Sequence, residues 1–457
     1  MAMREDQTQA LGTAPVVRLF FRLALPAVLA QMATLANNVV DRMWVGHIPQ
    51  DGLQSLGAVG VCLPLQTLFL SLAILIAAGM GPTVSILLGK GERGEAGKVS
   101  GACFGITALV GFVSAGLTAV LCDWLLASFG AGGETLPFAR SYLLASAWGL
   151  PFGNLLLLLI WWYNAQGYVG DGVALSLLSV GVNAALDPIL IYPCGLGVTG
   201  AAVATNAGAV VALAWGCRKA WRDERLVRFR PADLVPRFGH WLPSATLGLS
   251  TWLEVFLESI AVMLVNASLL RYGGEIAVAA FSLYSVAIFV LIYILLGLSM
   301  GAQPIICYNY GAGDLGRVRR AARIFILTSF VCSLGLWAVI MLRPAFVWGL
   351  FASDRTLVDY AASKSSVYFA AMLVTGVLSA HLYVIRFLKR VKISLVLGVL
   401  KRLVLLLPLI FILPAVLPGD KTKAVLAASP LAEAAAFAMT AVCYFFMMRG
   451  VFAKGVK

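Results

Sequence analysis

GMGPTVSILLGKG, residues 79–91, and GAQPIICYNYGAG, residues 301–313, are two copies of one pattern. Gly79, Pro82, Gly89 and Gly91 fall on Gly301, Pro304, Gly311 and Gly313 at a constant offset of 222 residues. Each copy follows an apolar run and leads into a basic segment. Other features recur in the same order: Pro26 and Pro243 open comparable runs, and Phe129 to Tyr142 parallels Phe351 to Tyr368. Self-similarity at half the chain length means two like units, so the fold is decided by what one unit is.

Composition answers that. Of 457 residues, 61% are hydrophobic and 12% charged, with a mean hydropathy of +0.91. Soluble domains carry about a quarter charged residues, so this chain is made for a bilayer. A helix needs about 20 apolar residues to cross roughly 30 Å of hydrocarbon. Twelve such runs are present: 16–46, 54–78, 99–122, 138–163, 172–192, 200–217, 241–270, 276–300, 321–341, 362–384, 393–416 and 427–448. Alternating barrel strands are absent, so the spans are helices. The expected fold is therefore an all-α integral membrane protein with 12 transmembrane helices. Six spans per repeat is an even number, so both halves enter the membrane the same way, as parallel repeats about an axis along the bilayer normal. The organisation expected is a first lobe at 1–217, a basic linker at 218–240 and a second lobe at 241–457, giving two pseudo-symmetric six-helix bundles.

The net charge of +13 is topological and does not mark a nucleic-acid binder. Of 34 Lys and Arg, 24 group with the termini and even-numbered loops, seven with odd-numbered loops, and Arg42, Lys401 and Arg402 lie within spans. That asymmetry places both termini in the cytoplasm. Eight scattered cysteines lack a CxxC pair, which argues against a disulfide framework or zinc site. No short h-region with a small-residue cleavage site opens the chain, so the first span is expected to stay in the mature protein.

Against this apolar background the polar residues inside spans carry the function. Asp41 costs about 3 kcal/mol on insertion scales, and such an acid usually faces a cavity or partner; otherwise it caps the end of the span or pairs with a neighbouring Arg. Gln31, Thr34, Asn38 and Asp41 share one face of span 1. Asn183 and Asp187, four apart in span 5, share another, and Pro188 weakens the helix behind the acid. Thr205 follows in span 6. At 1.5 Å per residue, Asp41, Asp187 and Thr205 lie roughly 8 Å below the outer end of their spans and Asn183 about 15 Å. Two carboxylates, a carboxamide and a hydroxyl suit a hard cation, or carboxylates sharing a proton. Pro64 is expected to break span 2, with Gln66 adding a polar point beside it. The 217-residue offset from Pro26 to Pro243 carries Asp41 onto Glu258, with Glu254 one turn earlier. These two are a secondary cation or substrate site, or else are buried against Lys401 or Arg402. His381 lies mid-span, where it carries a proton or bonds helix to helix; His47 and His240 sit at span ends.

VDRMWVGH (40–47), NAALDPILIY (183–192), GVTGAAVAT (197–205) and GAQPIICYNYGAGDLGRVRRA (301–321) resemble motifs of the MATE (multidrug and toxic compound extrusion) transporters, across essentially the whole chain. The resemblance is to the DinF-like branch and implies export of small amphiphilic, cationic compounds in exchange for H⁺ or Na⁺. It matches Asn183, Asp187 and Thr205 to that branch's cation-coordinating positions, which can take Na⁺, and Asp41 to its first-helix aspartate. The intramembrane glutamate of the NorM-like branch is matched only loosely by STWLEVFLESI (250–260). The expected protein is thus a monomeric secondary antiporter in the cytoplasmic membrane of a prokaryote, proton-coupled with a Na⁺-capable pocket. It is expected to need no cofactor and bind no nucleic acid. A lipid-linked oligosaccharide flippase of the same superfamily would need a cationic cavity, and Asp41 and Asp187 argue against that. An enzyme is disfavoured because no nucleophile elbow, P-loop or His-rich motif is present. A purely structural role would leave the intramembrane acids unexplained.

Overall fold

In lipid, a backbone must satisfy its own hydrogen bonds, and a computed structural model describing residues 7–129 and 132–454 does so with helices. A short α1 (Gln7–Thr13) precedes α2 (Val16–Gly46), α3 (Gly52–Gly89), α4 (Arg93–Ser128), α5 (Thr135–Ala165), α6 (Val169–Ile191) and α7 (Gly197–Arg222). These six long helices are the first bundle. The second begins with α8 (Phe238–Ala312), which is two spans joined at Gly274, where φ is 68°. It continues with α9 (Leu315–Leu342), the short α10 (Pro344–Gly349), α11 (Arg355–Tyr368) and α12 (Met372–Phe387). The last elements are α13 (Val391–Val399), a π-helical turn Leu400–Leu406, α14 (Leu407–Val416) and α15 (Lys421–Lys454). All twelve expected spans have a counterpart; span 10 is the pair α11 and α12, bent by 55°.

The repeated motifs, expected to follow the second span of each half, continue its helix. They lie inside α3 and α8 and end them, with Gly91 and Gly313 both at φ 81°. Their small residues serve as a seam between the bundles. A Cβ on Gly89 would strike the carbonyl of Tyr308, and one on Gly311 would strike the carbonyl of Ile86. Ile86 and Tyr308 are themselves 222 residues apart, so the contact is symmetric. Gly79 likewise meets Ser244, and Gly248 meets Leu75. Backbones touch only where side chains are absent, so the basic-loop halves of the two bundles are sealed against each other. Pro64 does not break α3, contrary to expectation: the helix runs through it, with Leu65 fully buried beside it.

The connection is shorter than the expected 218–240, because α7 extends to Arg222 and α8 starts at Phe238. Residues 223–237 lie along α4, where Gly101 leaves room for Asp233 and Gly105 for the carbonyl of Leu234. Val227 donates its backbone N–H to Gln166 Oε1 at 2.7 Å. This strap belongs physically to the first bundle.

Candidate functional site

Within the first bundle, α2, α6 and α7 bring their polar residues together. Asn37 is the hub. Its Nδ2 reaches Asp41 Oδ1 and Oδ2 at 3.1 and 3.2 Å and Asn183 Oδ1 at 2.7 Å. Asn183 Nδ2 in turn donates to Asp187 Oδ1 and Thr205 Oγ1, both at 3.2 Å. The Asp41 and Asp187 carboxyls are thus neighbours, linked through the Asn37 and Asn183 amides. Asp187 is 0% and Asn183 4% exposed. Asp187 Oδ2 is buried with no hydrogen-bond partner among the described residues.

Each position has a local cause. Asn183 and Asp187 are one turn apart on α6, and Pro188, in that helix's last turn, has no N–H to give the carbonyl of Ala184. Asn37 and Asp41 are likewise one turn apart on α2. Thr205 lies eight residues into α7, deeper than its expected 8 Å, because α7 starts at Gly197. That depth sets it level with Asn183, which explains why it meets the amide and not Asp41. Two acids this close can take up one proton or one cation between them, because two bare negative charges side by side repel.

The remaining face residues scatter. Asn38, selected with Asp41 by spacing, turns away from it toward Tyr293 of α8. The residue that performs its expected role is Asn37, absent from the sequence reading although the i, i+4 relation to Asp41 could have found it. Thr34 donates to its own helix at Ala30 O, 3.0 Å away. Gln31 reaches across the seam to Met300 Sδ at 3.3 Å. Gln66 bonds Ser146 Oγ on α5 at 2.9 Å and adjoins Tyr142, outside the carboxylate cluster.

The second bundle does not duplicate this arrangement. Glu254 accepts from Arg386 at 3.1 Å, and Glu258 pairs with Arg402. Lys401 reaches Glu433 of α15 at 3.4 Å, and Thr375 donates to the same carboxylate. Three acids therefore meet three bases. Arg386 was grouped with the loop after span 10 by the charge count; it is in fact 7% exposed within α12. The adjacent Lys401 and Arg402, in the π-helical turn, serve different partners because neighbouring residues on a helix point to different sides. His381 makes no helix-to-helix bond through Nδ1; it stacks on Tyr444 with ring centres 4.3 Å apart.

The profile of the MatE family matches residues 26–189 and again 251–412, once per bundle and over most of the chain. The chain belongs to the MATE family. Its membership makes it a multi-pass membrane transporter and not an enzyme. Among curated relatives it is 26% identical over 381 residues to "Multidrug export protein MepA" of Staphylococcus aureus (strain NCTC 8325 / PS 47), covering 82% of each chain. The protein of the same name from Staphylococcus haemolyticus (strain JCSC1435) is 24% identical, again over 82% of each. Solved MATE structures share the fold. An outward-facing multidrug resistance MATE transporter superposes with a TM-score of 0.90 at 21% identity, covering 99% of this chain and 100% of that one. A Pyrococcus furiosus transporter of the wider superfamily, whose binding pocket is described as of reverse polarity, gives 0.86 at 21%, covering 97% and 99%.

Proposed function

We propose that this MATE transporter exports small amphiphilic cations in exchange for protons, with Asp41 and Asp187 as the coupling pair. The observation that carries the reading is the closeness of the two carboxyls, held together by the side-chain amides of Asn37 and Asn183. A proton on the pair and a cationic substrate compete for the same negative charge, which is the condition for antiport. The orientation of Asn183 favours H⁺ over Na⁺: its Nδ2 faces Asp187 and Thr205, so their lone pairs accept hydrogen bonds. Na⁺ at Asn183, Asp187 and Thr205 would require that amide to turn over and present oxygen.

In this reading residues 1–217 and 241–457 are the rocking lobes, and the glycine seam is the closed gate on the cytoplasmic side. Both termini face the cytoplasm, by the distribution of basic residues. The protein works as a monomer in the cytoplasmic membrane of a prokaryote. The bases buried inside the second bundle, Arg386, Lys401 and Arg402, are each paired with a glutamate, which counts against the flippase alternative.

Efflux of a panel of cationic and neutral dyes from proteoliposomes, under separately clamped pH and Na⁺ gradients, tests this. Cationic dyes moving only when the pH gradient is imposed is the expected result. Transport that ignores pH but stops without Na⁺ reverses the choice of ion.

A further inference from the structure

Below the carboxylate cluster, toward the basic loops, lies a small cavity with room for about one water molecule. It is lined by Gln31 of α2, Asn164 of α5, Ser176 of α6 and Met300 of α8, with Gly172 and Ala27 among its apolar walls. Asn164 is 2% exposed, and its Oδ1 is buried without a hydrogen-bond partner among the described residues. Burying a carbonyl oxygen unpaired is costly, and native proteins do so where a water or ion is to be received. Gly172 keeps that oxygen open: a Cβ there would come within 2.6 Å of it.

The cavity's position is specific. Ser176 lies seven residues before Asn183 on the same face of α6, roughly 10 Å toward the basic-loop end. Gln31 stands on the helix face that leads through Thr34 to the Asp41 cluster. Gln31 also bonds Met300 across the seam between the bundles, so the cavity has one wall in each bundle. A relative motion of the bundles opens or closes it.

We infer that this cavity is an inner station for the coupling cation, held by Asn164 Oδ1 and Ser176, between the carboxylate pair and the basic-loop face. The ligand is a small monovalent cation borne by water, hydronium or Na⁺, recognised by neutral oxygens alone. Neutral donors are what a station needs, since a third carboxylate would trap the ion it passes on. The inference rests on the antiport reading above.

The test uses the full-length protein in proteoliposomes, with ethidium uptake driven by an imposed pH gradient or an imposed Na⁺ gradient. Asn164→Leu replaces the amide by an apolar group of similar size. Gly172→Ala keeps the Asn164 amide but puts a Cβ within 2.6 Å of its oxygen, which must then turn out of the cavity. Both are expected to lower the maximal gradient-driven rate roughly tenfold, the loss of about one hydrogen bond to the ion. Ethidium affinity in detergent, and the KM for ethidium, are expected to stay unchanged. Asn164→Ser, which keeps an oxygen, is expected to recover a substantial part of the rate. Loss under only one gradient identifies which cation uses the station. Wild-type rates in both Asn164→Leu and Gly172→Ala overturn the inference, as does a loss of ethidium binding in step with rate. Wild-type uptake indifferent to both gradients instead overturns the antiport reading itself.

Discussion

Asp187→Asn is the substitution whose outcome follows most closely from the geometry. The carboxamide keeps an oxygen that can accept from Asn183 Nδ2, so no cavity opens and no donor is orphaned. What disappears is one of two negative charges sharing a buried site. Two unit charges about 4 Å apart interact by roughly 4 kcal/mol at an effective dielectric of about 20. At about 1.4 kcal/mol per decade, the site's affinity for its coupling cation should fall by up to about a thousandfold. Asp41 then stands as the lone carboxylate among the amides of Asn37 and residue 187. Gradient-driven uptake of a cationic dye into proteoliposomes should drop below about a tenth of wild type. The melting temperature in detergent should hold or rise, since a repulsive pair has been removed. Uptake within twofold of wild type, with a correctly folded variant, would refute the reasoning.

Further outcomes follow from other contacts. Asn37→Ala should cut coupled transport more than Asn38→Ala, by roughly 10-fold or more, because only Asn37 bridges Asp41 and Asn183; parallel uptake rates check this. Glu254→Gln leaves Arg386 buried without its carboxylate and should cost up to about 3 kcal/mol, whereas the Glu254→Gln, Arg386→Gln double variant should recover much of it in thermal melts. Gly89→Val should force the seam apart at Tyr308, raising thiol labelling of a cysteine placed on the basic-loop half of α3. Asp420, outside the spans, loses ionisation energy to burial, but bonds from Lys364, Thr422 and the Lys423 N–H outweigh this and hold it below the ordinary carboxylate range. Its stabilising contribution is therefore present above about pH 4 and lost as pH falls further. Melting temperature between pH 6 and pH 3 should fall less steeply in Asp420→Asn than in wild type.

The spans were legible because lipid imposes one rule on every backbone group, and long apolar runs are its direct record. The repeat was legible because the seam demands glycine at Gly89 and Gly311, where any side chain would meet backbone. The site was legible in its acids and in Asn183, since each is costly in lipid without a purpose. Asn37 was hidden by its neighbour: two asparagines in sequence point about 100° apart on a helix, and composition cannot say which faces inward. The pairing of the second bundle was hidden for a related reason. Arg386 looked like a loop residue because α12 extends past the apolar run, and Lys401 and Arg402, adjacent on a helix, point to different sides without the sequence saying which acid each meets.

Proton release on substrate binding tests the coupling pair most directly. Ethidium is added to purified protein in a weakly buffered detergent solution near neutral pH, and the proton yield is read with an indicator dye. About one proton released per bound ethidium in wild type, and none in the Asp41→Asn, Asp187→Asn double variant, is the predicted result. Equal release from both proteins, or binding with no release from wild type, would contradict it.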